Sequence, residues 1–377
     1  MRILVASREG AGSCLEGRCR ALAALTLALV CLLAACGPPA GRTPGGGAGP
    51  DGSRPFRLAC FPNLTHAQAL LGRRTGSFEK AIGVPVEWTF FNAGPSAVEA
   101  LFAGAIDAAY VGPNPAINGH IKSRGESFVI VAGAASGGAA LVVRQEARIE
   151  RDSDFHGRIV ATPQLGNTQD VAARLWFRAR GFVTRDRGGD LTLIPLSNPD
   201  QLLMFQRKEI DAAWTIEPWV SRLEQEAGAR VYLDEGQLWP DGRYPTALLV
   251  VRRAILERRP DVVRRLLVAH VAVTLQLAGD KQTHAEALAL EIQRVTATAL
   301  PLPVVRAALQ RLAFTWDPLL SALAKAADDA FRVGFLSEQP SLADIADLRL
   351  LNDVLEERRQ PAVAVLPPAR SSGGGPK

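Results

Sequence analysis

Charge of one sign is nowhere concentrated in this chain. Its 43 Lys and Arg and 38 Asp and Glu leave a formal charge of +5 over 377 residues, and basic residues pair only in doublets such as Arg252-Arg253 and Arg264-Arg265. A nucleic-acid-binding face gathers Lys and Arg on one side of a domain. Isolated doublets read as solvated helix faces, so no nucleic-acid partner is expected. Cysteine is scarce where it would matter: of five, Cys14, Cys19, Cys31 and Cys36 precede residue 37. Cys60 is left alone in the body of the chain, which excludes an internal disulfide there. In the apolar run LACF it reads as a small buried hydrophobe rather than a reactive thiol. The five histidines, His66, His120, His156, His270 and His284, show no HxxH or HExxH spacing, and no GxSxG elbow occurs. The usual signatures of zinc hydrolysis and serine acyl transfer are therefore missing, and no metal, cofactor or catalytic residue is expected. What is present is an ordinary globular composition, 47% apolar and 21% charged, at a length that suggests two domains.

The N-terminus carries the most specific local signal. After Arg18 and Arg20 comes ALAALTLALVCLLAA, an apolar run of 15 residues. A spanning helix needs about 20, and this length is that of a signal-peptide core. It closes on LAAC, residues 33–36, which resembles the lipobox of bacterial lipoproteins. The resemblance implies cleavage before Cys36 and a thioether-linked diacylglycerol on it, holding the protein at a membrane. The n-region of 20 residues, with Glu9 and Glu16, is long for such a signal; a start codon assigned too early would explain it. Residues 1–35 are thus expected to be the signal peptide and 36–54 a lipidated cysteine with a flexible Gly/Pro-rich tether. Residues 361–377, which include PPARSSGGGPK, read as a disordered tail.

Between them one pattern repeats six times: a short apolar run, a turn with a capping residue, then a helical period. FRLACF precedes Asn63 and Thr65. VEWTFF precedes NAGPSAVEALF, where Ser96 and Glu99 have capping-box spacing. AAYVG precedes Asn114-Pro115, RIVAT precedes Asn167 and Thr168, LTLIPL precedes Asn198-Pro199, and AAWTI precedes Glu217-Pro218. Strands alternating with helices predict parallel sheets covered on both faces, and two triplets predict two such lobes. The tetrapeptide IDAA starts the third strand of each triplet, with Asp107 and Asp211 at the polar entrance, the wrong end of the strand for catalysis. GGAALVVR and YPTALLVVRR suit two crossover strands, one leaving the first lobe and one returning to it. From Ala254 onward, apolar residues at three- and four-residue spacing predict core-packing helices.

In open α/β sheets ligands bind where strands end and helices begin. Two facing lobes would aim up to six helix N-termini at one space, each with free N–H groups and a partial positive charge that suits an anion. The residues there are small, polar and aromatic, which suits close backbone approach.

The segments NLTHA, AVEALFAGAIDAAYVGPNPAI, ATPQLGNTQDVAARLW, PDQLLMFQRKEIDAAWTIEPWVSRL and LWPDGRYPTALLVV, in that order, resemble the ABC-transporter solute-binding proteins of the nitrate/sulfonate/taurine/bicarbonate group. The resemblance spans nearly the whole chain after Cys36. It implies an α/β, two-lobed type II periplasmic-binding-protein fold with two crossover strands and C-terminal helices. Lobe 1 would comprise residues 55–138 and 250–360, and lobe 2 residues 139–249. It further implies a monomer outside the cytoplasm, in the periplasm or at the cell surface, which closes on a small anion and delivers it to a permease with a separate ATPase. Mapped onto this sequence, the family's cleft loops are Thr65-His66, Gly94-Pro95-Ser96, Gly112 to Asn114, Ser136-Gly137, Gly166 to Thr168, and Trp214 to Glu217. Ser96, Asn167 and Thr168 would hold the anionic head, with Tyr110 and Trp214 walling an organic tail. Glu217 would grip an amino group or favour its own helix N-terminus. Trp214 and Trp219 incline the expectation toward an organic sulfonate, alkanesulfonate or taurine, over nitrate or bicarbonate. Two other readings share the fold: a pyrimidine-precursor synthase of thiamine biosynthesis and a ligand sensor for a signalling receptor.

Overall fold

The computed structural model describes residues 54–364. The expected signal peptide, Cys36, nearly all of the tether and the tail from residue 365 lie outside the described residues.

The first three strand–helix units are β1 (Phe56–Cys60) with α1 (Ala67–Thr75) and α2 (Ser77–Ile82), β2 (Val86–Phe90) with α3 (Gly94–Phe102), and β3 (Ala108–Val111) with α4 (Pro113–Lys122). β4 (Phe128–Gly137) and β5 (Ala139–Arg144) carry the chain to the second set. That set is β6 (Ile159–Thr162) with α5 (Thr168–Ala179), β7 (Thr192–Pro195) with α6 (Asn198–Gln206), and β8 (Ala212–Ile216) with α7 (Trp219–Ala227). β9 (Ala229–Asp234) and β10 (Pro245–Arg252) lead back. Then come α8 (Arg253–Arg258), α9 (Pro260–Asp280), α10 (Ala285–Thr296), α11 (Leu302–Gln310), β11 (Leu312–Phe314), α12 (Leu320–Arg332) and α13 (Arg349–Glu357).

These strands form two sheets, ordered β11-β4-β10-β3-β1-β2 and β7-β6-β8-β5-β9. In each, three parallel strands meet an antiparallel one beside the third strand: β10 against β3 in the larger sheet, β5 against β8 in the smaller. The sheets are therefore mixed rather than wholly parallel, because each receives a crossover strand that runs the other way. β4, β9 and β11 add further strands that the six-unit pattern does not foresee. β11 falls inside the segment read as purely helical; α11 stops at Gln310 and Leu312 begins pairing with β4.

The recurrence of IDAA has a structural cause. β3 and β8 are buried at every residue, and the aspartate before each pins the strand's start to the first strand of its own triplet. Asp107 accepts the Arg57 N–H at 3.0 Å and pairs with the Arg57 guanidinium at 2.6 Å. Asp211 accepts the Ile159 N–H at 3.0 Å and pairs with Arg144 at 3.2 Å. The backbone repeats the pattern: the Asp107 carbonyl accepts from Arg252 and the Asp211 carbonyl from Arg144, each at the entry or exit of a crossover strand.

Side-chain alternation splits the smaller lobe's core in two. Leu141, Val143 and Trp214 face one way with Trp176 and Phe177 of α5, while Ala140, Val142 and Ala213 face the other with Val220 and Leu223 of α7. The larger lobe has one continuous core in which α9 buries Val263, Leu266, Leu267 and Leu277 against α1, α2 and α13. Beyond α13 the chain stays attached as far as Val363, whose N–H donates to Asn352 Oδ1 at 2.8 Å.

Candidate functional site

All six strand–helix junctions contribute to one small cavity. From β1 come Phe61, Asn63, Thr65 and His66; from β2, Asn92 to Gly94; from β3, Gly112 and Pro115. The second lobe supplies Pro163 and Asn167 to Gln169 after β6, Asn198 after β7, and Ile216 at the end of β8. Thr246, at the start of β10, completes the wall. The space is about 30 Å³, room for about two water-sized spheres and therefore for a compact head group.

No formally charged side chain stands in this wall. The side-chain oxygens of Thr65, Thr168 and Thr246 are buried without a hydrogen-bond partner among the described residues. A buried unpaired hydroxyl costs about 1–3 kcal/mol, so three gathered at one cavity mark a place built to be completed by a ligand. α3, α5 and α6 begin at the wall, and the first N–H groups of a helix have no partner within it. Asn167 caps α5, its Oδ1 accepting the Asp170 N–H at 3.0 Å. Asp170, fully buried, accepts from Thr162 Oγ1 at 2.8 Å, from the Gly166 N–H at 3.0 Å and from Arg174 at 3.0 Å. It thereby fixes the turn in which Gly166 adopts φ +74°.

His66 is the one titratable lining group. Its Nδ1 accepts the Phe61 N–H at 3.1 Å, which places the ring proton on Nε2. Burial pushes its pKa down to about 3, so the imidazole is a neutral donor. Tyr110 stands behind it, ring centroids 6.0 Å apart, and its hydroxyl donates to His270 Nδ1 at 2.8 Å. His270 Nε2 donates in turn to the Gly133 carbonyl at 2.8 Å.

Of the residues singled out from sequence, Thr65, His66, Gly94, Gly112, Asn167 and Thr168 meet at the cavity; the others are placed elsewhere. α3 starts at Gly94 with Ala93 as its cap, so Ser96 is the third helical residue and is exposed, with no capping box, and Pro95 is half-buried beside it. Gly112, not Asn114, caps α4; Asn114 donates instead to the Ala326 carbonyl at 3.4 Å. Tyr110 and Trp214 are core residues with no exposed surface. Trp214 Nε1 donates to Glu235 at 2.7 Å. Ser136 accepts from the Tyr244 N–H at 3.3 Å, and Gly137 takes φ +82° where the chain passes between sheets. Glu217 is buried under its own helix start, accepting from Ser221 N–H at 3.1 Å and from Arg311 at 2.9 Å. Burial raises the Glu217 pKa, and Arg311 opposes that rise.

Phe61, Asn63, Asn92, Gln169, Asn198 and Thr246 belong to the wall without having been singled out as ligand contacts. Thr246 carries a signal only in hindsight: an antiparallel crossover strand begins where its parallel neighbours end.

The lobes touch around the cavity. Trp219 Nε1 donates to Asn63 Oδ1 beside it at 3.1 Å. A methyl group added to Gly112 would come within 2.6 Å of Thr168 Oγ1, so only glycine allows this approach.

The NMT1-like family pattern matches residues 49–292. The taurine-binding periplasmic protein of Escherichia coli (strain K12) is 26% identical over 199 residues, which cover 52% of this chain and 58% of that protein. A Bacillus subtilis (strain 168) protein named for binding aliphatic sulfonates is 25% identical over 344 residues, 88% of this chain and 96% of that one. Among solved structures, the alkanesulfonate-binding protein SsuA of Xanthomonas axonopodis pv. citri, bound to MOPS, superposes with a TM-score of 0.64 at 19% identity. It matches 78% of this chain and 98% of its own. The desulfurization enzyme DszB matches 81% of this chain and 100% of its own with a TM-score of 0.57 at 20% identity. These likenesses establish the fold as that of the two-lobed periplasmic binding proteins.

Proposed function

The chain belongs to the NMT1-like family, and from that premise we propose that it is the extracytoplasmic solute-binding component of an ABC importer, capturing a small organic anion by closure of its two lobes. The head group is sulfonate-like. One observation carries this reading: three unpartnered threonine hydroxyls, from both lobes, meet the starts of helices at a cavity without a charged side chain. Hydroxyls, backbone N–H groups and a neutral imidazole suit a singly charged, delocalised oxyanion. A dianion would bury a second charge without compensation. Contacts to both lobes stabilise the closed arrangement, which a permease then reads. Taurine- and aliphatic-sulfonate-binding relatives support the head-group class.

In this reading Cys36 carries the lipid that tethers the protein to a membrane, and a permease and its ATPase are the partners. The same reading takes the chain between the lobes near Gly138 and before Pro245, which the membership of β4 and β10 in one sheet and of β5 and β9 in the other supports. The fold also serves an enzyme, DszB, but this cavity wall offers no cysteine, carboxylate or amine to act as nucleophile or base. Cys60 lies outside the wall, and burial drives its thiol pKa upward.

Thermal denaturation against alkanesulfonates, taurine, nitrate and bicarbonate tests the proposal. A true ligand at about 100 times its Kd adds about 2.7 kcal/mol of stability. Because His66 stays neutral down to about 3, the response should be flat from about pH 5 to about pH 8. No response to any anion, or one that grows as pH falls through the ordinary histidine range, would overturn it.

A further inference from the structure

On the far side of the Gly112–Thr168 contact lies a separate pocket of about 190 Å³. Its body is apolar and aromatic: Val171, Leu175 and Trp176 of α5 face Leu238, Trp239 and Ala326. Four charged residues complete it, Arg180, Lys325, Glu235 and Asp329, two of each sign. The two cations are already matched. Arg180 pairs with Asp152 at 2.6 Å and lies 3.9 Å from the centre of the Trp176 ring. Lys325 pairs with Asp329 at 2.6 Å and lies 4.4 Å from the Trp239 ring centre.

Glu235 is different. It has no exposed surface and, among the described residues, no cationic partner within ion-pair distance. Oε2 accepts from Trp214 on the core side; the Trp239 indole N–H lies near the carboxyl and draws on its charge, but among the described residues no group reaches Oε1 with hydrogen-bond geometry. An unpaired buried carboxyl oxygen in a pocket wall is costly unless something completes it.

We propose that this pocket is a second ligand site, for a small neutral molecule with an aromatic or apolar body and one N–H or O–H group donated to Glu235 Oε1. The volume fits a single ring, since a cavity of about 150 Å³ holds benzene. Neutrality follows from the wall: its charges cancel, and its cations already occupy the faces of Trp176 and Trp239. Burial pushes the Glu235 pKa up to about 7 against the pull of the Trp214 and Trp239 indole N–H groups. A hydroxyl, able both to donate and to accept, therefore suits either form of the carboxyl. This site goes beyond the anion cavity and stands independently of it, although Thr168 belongs to both walls.

Calorimetric titration of the full chain with phenol and with toluene, both single rings, tests the inference. Phenol should bind, and toluene should bind at least about tenfold more weakly because it leaves Oε1 unpaired. Leu175→Trp, at a half-buried position, should abolish phenol binding while the anion response persists; Ala172→Leu is a milder filling of the same space. Equal binding of the two rings, no phenol binding at all, or phenol binding that survives both substitutions would overturn it. Loss of the anion response in the unaltered protein would instead bear on the head-group cavity.

Discussion

Three threonines set the fold and the function at odds. Thr65, Thr168 and Thr246 each bury a hydroxyl that no other group satisfies, a cost of about 1–3 kcal/mol apiece. Valine keeps the branched shape and removes the unpaired oxygen. Thr168→Val and Thr246→Val are therefore expected to stabilise the ligand-free protein by about 1 kcal/mol. Each should weaken anion binding about tenfold, through the lost charge-assisted hydrogen bond. Paired melting curves with and without anion check both signs at once. A variant that melts lower and binds unchanged would mean that the hydroxyl serves the fold. Ser96 is the matching control: exposed on α3 and outside the wall, it should tolerate substitution without effect on binding. Its place was hard to see in the sequence because Pro95 is accepted in the first helical turn, which starts α3 at Gly94 and carries Ser96 past the cap.

At the scale of elements, the six strand–helix units were legible because each pairs a short apolar run with a capped helical period. The duplicated IDAA showed that two lobes share a plan. β4 was not legible because a continuous apolar run such as FVIVAGAASG lacks a period that separates strand from buried helix, and β9 because its half-buried ARVYLD follows the α7 pattern with only Gly228 between them. The direction of the crossover strands was hidden too, and with it Thr246, because only pairing reveals which end of a strand meets the cleft. The aspartates of IDAA make the plan testable. Asp107 has no exposed side-chain surface, whereas Asp211 is 16% exposed and shared between Arg144 and Arg158. Removing one partner of a buried ion pair costs about 3–5 kcal/mol. Asp107→Ala should lower the urea midpoint by an amount equivalent to about 3 kcal/mol, and Asp211→Ala by roughly half that, since Asp211 is itself in part open to water and its pairs are screened in the folded protein. Equal and small losses would show that the pairing merely accompanies the strand register.

In the proposed function, the governing quantity for the whole molecule is the balance between open and closed lobes. Thr168 meets Gly112 at the cavity and Trp219 meets Asn63 beside it, but neither contact carries a charge. Charged bridges do exist: Arg243 lies 3.9 Å from Asp317, and the shorter pairs belong to Arg311, between α11 and β11 of the larger lobe. It reaches Glu217 at 2.9 Å and Glu224 at 2.8 Å on the smaller lobe. Glu217 is fully buried, so opening the lobes separates its carboxylate from the guanidinium but also lets water reach it. Arg311→Met removes the bridge and leaves the closed form holding an uncompensated buried carboxyl. The ligand-free protein should then shift toward the open form, read as a larger radius of gyration in solution scattering. Apparent anion affinity should fall in proportion to the closed fraction that is lost, several-fold for a shift of about 1 kcal/mol. Adding Glu217→Gln removes the stranded charge and should restore part of both quantities, which a double-mutant cycle measures as a positive interaction. If Arg311→Met alone leaves scattering and affinity unchanged, closure is set by the cavity contacts and the ion pair contributes nothing to it.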